Sequence, residues 1–170
     1  MATIAGAAGI LMIAGKILFV FEEENDKRTH KKAGQMSLPA GWIQEDEDLV
    51  GTVEREFLEE TGLRVQVTEY FKDSLIPDTD LLVAVYIVEL AQGGIRPGQG
   101  ELKTEWLPLR NIIQQDADGH FARKVLINGV LDRLEREPHM LRPGMAEILN
   151  EFEKHQAKVQ PSTVLIHMAT

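Results

Sequence analysis

Apolar residues dominate the chain from Ala2 to Phe21 and then give way abruptly to EEENDKRTHKKAGQ, from Glu22 to Gln35. The apolar stretch predicts two strands, near Thr3 to Ile13 and Ile17 to Glu22, joined at Ala14-Gly15. A secretory leader would begin with basic residues, and none precedes this stretch; a spanning helix would not accommodate Lys16 or glycines at 6, 9 and 15. The charged stretch has no apolar period and reads as an exposed, solvated loop, from which Lys27, Arg28, His30, Lys31 or Lys32 could reach a phosphate. From Gly41 the pattern changes to a loop and then a helix, with Asp48 as N-cap and Gly62 as left-handed stop. At about 100° per residue Val50, Val53 and Phe57 form one apolar stripe that can pack on a sheet. Further strands are expected from Val65 to Lys72, from Leu81 to Leu90, buried on both faces, and from Glu101 to Leu107, with a turn at IPDTD and a glycine-rich segment from Ala91 to Gly100.

The last third returns to helical spacing. Phe121, Val125, Val130, Leu131 and Leu134 form one stripe and Met145, Ile148, Leu149 and Phe152 another, separated by Pro138, Pro143 and Gly144. Two amphipathic helices, over about 119–157, are therefore expected, as core cover or a surface for a second copy. No repeat and no linker divides the 170 residues, a length that suits one domain over 1–170.

Composition narrows the chemistry. With 44% hydrophobic and 26% charged residues the chain falls in the range of water-soluble folds. Cysteine is absent, so a bound metal would have to use oxygen or imidazole ligands, and a cytoplasmic location fits. A formal net charge of -9 argues against a broad surface for nucleic acid, so an anionic substrate needs local help from cations.

That help has an evident place. On the helical wheel Glu56, Glu59 and Glu60 share an arc of about 100° beside the apolar stripe. Three carboxylates so close repel and raise one another's pKa unless a cation stands among them, and a hard divalent ion such as magnesium suits oxygen donors. Arg55, one turn before Glu59, can hold that carboxylate's rotamer. A solvated acidic helix would explain any two of these glutamates but not the joint spacing. That spacing is glycine, five residues, glutamate, seven residues, then Arg-Glu-apolar-any-Glu-Glu-any-Gly-apolar: Gly41, Glu47, Arg55, Glu56, Phe57, Glu59, Glu60, Gly62 and Leu63. A chance match at one starting position is on the order of one in a billion at average residue usage.

The chain thus resembles the Nudix hydrolases, through a complete Nudix box from Gly41 to Leu63, 23 of its 170 residues. The N-terminal hairpin, Leu38-Pro39-Ala40 before the box and Glu105-Trp106-Leu107 after it are similar to that family as well. The resemblance implies an α/β fold, an α/β/α sandwich around a mixed sheet, with the two C-terminal helices as additions. It implies Mg²⁺ or Mn²⁺ on Glu56, Glu59 and Glu60 with the Ala40 carbonyl, and Glu47 and Arg55 bracing the box. The implied reaction is attack of water on a diphosphate linking a nucleoside to another group, with Glu59 or Glu60 as base, or Glu101 from a later loop.

Substrate cues are sparse. Pro77 and the LPAG approach to the box are similar to those of ADP-ribose-cleaving members, so ADP-ribose or another nucleoside diphosphate sugar is expected. Trp42, Phe71, Tyr70 and Trp106 could stack on a base, although aromatics beside strands usually belong to the core. Alternatives are a (d)NTP pyrophosphohydrolase, an RNA-decapping enzyme, which the acidic charge disfavours, and a domain that senses a nucleotide without cleaving it. The last would be expected to lack one of the box glutamates, and none is missing. Family members often dimerise, so a homodimer is expected, with a small-molecule substrate and no membrane partner.

Overall fold

The computed structural model describes residues 2–95, 100–108, 111–112 and 121. The N-terminal apolar run forms β1 (Thr3–Ile13) and β2 (Lys16–Phe21), antiparallel with Ile13 opposite Lys16. Ala14 and Gly15 close the hairpin with φ of 51° and 77°, the turn geometry whose twist matches paired strands. Two short strands follow that periodicity does not reveal, because two or three residues carry no alternation. They are β3 (Met36–Ser37), paired with β2, and β4 (Ala40–Trp42), paired with β1.

Helix α1 (Leu49–Thr61) leads into a long antiparallel hairpin of β5 (Leu63–Leu75) and β6 (Leu81–Ile95). Both strands outrun their expected ends. Their pairing shifts register at three places, and each shift breaks the strict alternation that marks a strand in sequence. The last strand, β7 (Thr104–Pro108), pairs with β2. It begins later than Glu101, because the backbone at Glu101 and Leu102 bonds to the end of α1 instead.

β1 runs parallel to β6 and antiparallel to β2 and β4, so the sheet is mixed, in the order β3-β2-β1-β6-β5 with β4 on β1 and β7 on β2. The fold is α/β. α1 lies on one face, where Val53 and Phe57 bury against Ala7, Leu11, Leu18, Val88 and Trp106. Burying these two side chains contributes roughly 3–6 kcal/mol. Gly9 makes the approach workable, since a Cβ there would run into the Phe57 ring. Val50, expected in the apolar stripe, is instead 39% exposed, and Thr52 and Thr61 are buried in its stead. The Thr61 hydroxyl donates to the Phe57 carbonyl one turn back, and the one Thr52 hydroxyl hydrogen is shared between the Glu47 carboxylate and the Asp48 carbonyl, so neither side chain is buried unsatisfied.

A second core fills the opposite face around Ile10, Phe19, Val85, Leu107 and Ile112, with the Phe121 ring 4.8 Å from that of Phe19. Apart from Phe121, the two expected C-terminal helices lie outside the described residues. Among those described, no helix is long and apolar enough to cross a membrane.

One buried acid gives the fold a pH dependence. Glu105, 7% exposed on β7, has its carboxyl pushed up from 4.5 to about 7 by burial. Between those values the folded protein holds a proton that the unfolded chain has released, so the stability this group contributes is complete below the window and declines as pH rises through it. Glu105→Gln is expected to melt near the unsubstituted protein at pH 5 and roughly 3–6 °C above it at pH 8. Calorimetric scans at both values test this; parallel pH profiles would clear Glu105 of the effect.

Candidate functional site

The acidic helix is fixed at both ends. Asp48, extended at φ -92° and ψ 170°, accepts the Gly51 N–H at 2.7 Å, and Gly62, at φ 76°, donates its N–H to the Leu58 carbonyl. The N–H groups of Glu101 and Leu102 donate to the carbonyls of Glu59 and Glu60 at 2.8 and 3.1 Å. These bonds satisfy carbonyls that a helix end leaves open, and they tie the last turn to the segment preceding β7. Glu101 therefore meets the helix through its backbone, while its side chain is exposed and does not line the cavity described below.

Arg55 is the hub of the helix surface. Its Nε donates to Glu47 at 2.7 Å and its Nη2 to the other Glu47 oxygen at 3.1 Å, a two-pronged pair. Nη1 donates to Glu56 at 2.7 Å and to Glu59 at 3.2 Å, and Nη2 also reaches the Trp42 carbonyl at 3.1 Å. Arg55, with a Thr52 hydroxyl bond in support, holds the Glu47 carboxyl down at about 2.

Glu56 lies against the strand at Gly41, where any Cβ would collide with its carboxylate. A side chain at position 41 would therefore displace Glu56 from where Arg55 holds it. Burial raises the Glu56 pKa, with Arg55 pulling the other way. Glu60 accepts the Ala40 N–H at 2.8 Å. Burial pushes its carboxyl up to about 8, the Ala40 bond offsets part of the shift and Glu56 adds to it. As these side chains stand, no three His, Cys, Asp or Glu groups among the described residues are placed to share one metal ion. Arg55 holds Glu56 and Glu59, Glu60 turns to Ala40, and Glu59 is 45% exposed.

Glu56 and Glu60 wall a cavity of about 300 Å³ together with Ala40, Gly41 and Trp42. The wall opposite the acids in character is apolar, with Met36, Leu38, Val85 and Phe121. Its other polar groups are Ser37 on β3, Ser74 on β5 and residues of the charged stretch after β2, which is folded rather than merely solvated. Asp26 and Lys31 pair across a tight turn in which His30 takes φ 61°, and Asp26, Thr29 and Lys31 line the cavity. Lys31 contacts Glu22 at 3.0 Å. Arg28 stacks over the Trp42 ring at 4.8 Å, His30 faces Asp78 at 3.8 Å, and Lys27 and Lys32 are exposed.

Among the other aromatic candidates, Trp106 is buried in the core under α1, Phe71 packs on the opposite core, and Tyr70 is half exposed and edge-on to Tyr86. Pro77 is exposed in the turn between β5 and β6 and does not itself line the cavity, although its neighbour Ile76 does. Sequence reasoning missed Glu22 and Ser37 as cavity residues. No local signal marks them, since they meet only through the pairing of β2 with β3.

The sequence profile described as NUDIX domain matches residues 3–128. No curated protein matches the chain. Among solved structures, a NUDIX hydrolase from Nitrosomonas europaea is similar at 17% identity and a TM-score of 0.62, covering 77% of this chain and 88% of that one. A MutT protein from Methanosarcina mazei Go1 is similar at 22% identity and a TM-score of 0.58, covering 81% of this chain and 96% of that one.

Proposed function

The chain belongs to the NUDIX domain family, and we propose that it is a divalent-metal-dependent hydrolase that cleaves the diphosphate of a nucleoside diphosphate sugar, ADP-ribose first. The observation that carries this reading is the cavity of about 300 Å³ walled by Glu56 and Glu60, which extends beyond the acids between Glu22, Lys31 and an apolar wall. The donor set suits a hard dication. A buried glutamic acid with its pKa near 8 and a second carboxylate seated in the space that Gly41 leaves are oxygen donors crowded enough to favour a bound cation. Glu56, Glu59, Glu60 and the Ala40 carbonyl would hold Mg²⁺ or Mn²⁺. When bound, such an ion neutralises the diphosphate, polarises its P–O bonds and lowers the pKa of water.

The chain's own residues do the rest. Arg55 keeps Glu56 and Glu59 in fixed rotamers, and the tie from Glu101 and Leu102 keeps the last helical turn in place. Water adds to one phosphorus, the bridging P–O bond breaks, and the water proton passes to Glu59 or Glu60, leaving two phosphorylated products. A homodimer and a cytoplasmic location belong to the same proposal.

A panel of ADP-ribose, other nucleoside diphosphate sugars, dinucleoside diphosphates and (d)NTPs, incubated with Mg²⁺ and resolved by product, tests the substrate. ADP-ribose is expected to give AMP and ribose 5-phosphate, with a kcat/KM at least about tenfold above any triphosphate. Faster turnover of (d)NTPs would replace this reading with that of a triphosphate pyrophosphohydrolase.

A further inference from the structure

We infer that Glu22 is a specificity-determining residue whose free carboxylate oxygen accepts a hydrogen bond from a sugar hydroxyl of the substrate. Glu22 follows the last residue of β2, where its N–H donates to the Gln35 carbonyl at 2.9 Å and its carbonyl accepts the Gly34 N–H at 2.8 Å. Its backbone is thus anchored, and its side chain lines the same cavity as Glu56 and Glu60. The Ser37 hydroxyl donates to Oε1, and the Lys31 ammonium lies 3.0 Å from the same oxygen as an ion pair. Oε1 is therefore engaged by one hydrogen bond and one ion pair. Oε2 has no partner among the described residues, and both of its sites are open.

This division of labour restricts the ligand group. Phosphate oxygens accept and cannot bond Oε2, so the partner belongs to the part of the substrate beyond the diphosphate. Two adjacent N–H groups on a base edge are best matched by the two oxygens of one carboxylate, and Oε1 is taken. A single donor, O–H or N–H, fits the one open oxygen, and of these a sugar hydroxyl is the group that deletion from either ribose isolates. Lys31 sets a cation beside the Glu22 carboxylate, so the cavity does not present a bare negative charge there to an anionic substrate. The inference rests on the cavity being the substrate site.

The test compares each ribose compound with its deoxy counterpart in the full chain and in Glu22→Ala and Glu22→Gln. With Mg²⁺, ADP-ribose is set against its analogues lacking one hydroxyl on either ribose. One of these deletions is expected to raise KM about tenfold or more in the unsubstituted protein with kcat little changed. In both variants the same ratio is expected to fall within about threefold of unity. A ratio within one preparation is independent of the folded fraction, and Glu22→Gln keeps the shape should Glu22→Ala fail to fold. In the glutamine variant the amide oxygen must face Ser37 and Lys31, which leaves an NH₂ where Oε2 stood.

A second readout needs no catalysis: calorimetric titration of metal-free protein with ribose 5-phosphate against 2-deoxyribose 5-phosphate, and AMP against its 2′- and 3′-deoxy forms. A ribo preference that both variants lose supports the assignment. No preference in the unsubstituted protein, or one that survives both substitutions, overturns it. Should only triphosphates be hydrolysed, the substrate proposal fails while ATP and dATP still decide the role of Glu22.

Discussion

Glu60→Gln is expected to lower kcat by about a hundredfold or more while leaving the fold intact, and Glu59→Gln to act on the same scale. The amide at position 60 can still accept the Ala40 N–H, so the contact that seats the side chain survives. What is lost is the negative charge. That charge is costly without a counterion, because burial has pushed the acid up to about 8. Glu60→Gln should therefore melt at or above the temperature of the unsubstituted protein even as activity collapses. Below pH about 8 the acid must give up its proton before it can serve a cation, so magnesium affinity should strengthen as pH rises from 6.5 to 8 and flatten in the variant. Turnover assays, thermal melts and magnesium titrations at both pH values read these effects. Hydrolysis untouched by both substitutions would remove the two glutamates from the mechanism.

How much of this was legible in sequence follows from which interactions are local. The acidic helix was, because its caps, Asp48 and Gly62, lie within one turn of the residues they serve. Its inner face was legible at Val53 and Phe57 and not at Val50, since an apolar wheel cannot anticipate threonines whose hydroxyls bond to their own helix. The β5–β6 hairpin was visible in its apolar middle, whereas its ends, among them the polar Asp73 and Ser74, carry no apolar alternation to mark them. Cavity chemistry was harder still. Glu22, Lys31 and Ser37 are brought together by Val20 facing Ser37 in the sheet and by a turn that folds Lys31 back to Asp26. Polar residues in a charged stretch carry no period from which such closure could be read. Glu101 shows the converse: it was expected to act through its carboxylate, but its contact with the helix is made by its N–H, for which the side chain gives no clue.

Arg55→Lys, conservative in charge, is expected to cost about 10–100-fold in kcat, the range seen when a group that orients metal ligands is altered. Arg55 bonds to Glu47 through two nitrogens and to Glu56, Glu59 and the Trp42 carbonyl through its planar fork. A lysine ammonium is a single point on a flexible stem and cannot span those four partners at once. Glu56 and Glu59 would then regain rotamer freedom, and the magnesium concentration for half activity should rise. Arg55 does not line the cavity, so substrate KM at saturating magnesium should change little, which separates a positioning role from a binding one. A purely structural role would lower the melting temperature and leave kcat per folded molecule unchanged. Glu47 supplies an independent signature. Its carboxyl, held at about 2 chiefly by Arg55, should titrate closer to 4.5 in the variant, as NMR of the side-chain carbon would record. The stability linked to that depressed pKa is present above pH 4.5 and lost as pH falls toward 2, so the unsubstituted protein should lose more of its melting temperature across this window than Arg55→Lys does. A normal kcat combined with a shifted Glu47 titration would confine Arg55 to holding the box together and leave the orientation of Glu56 and Glu59 to other contacts.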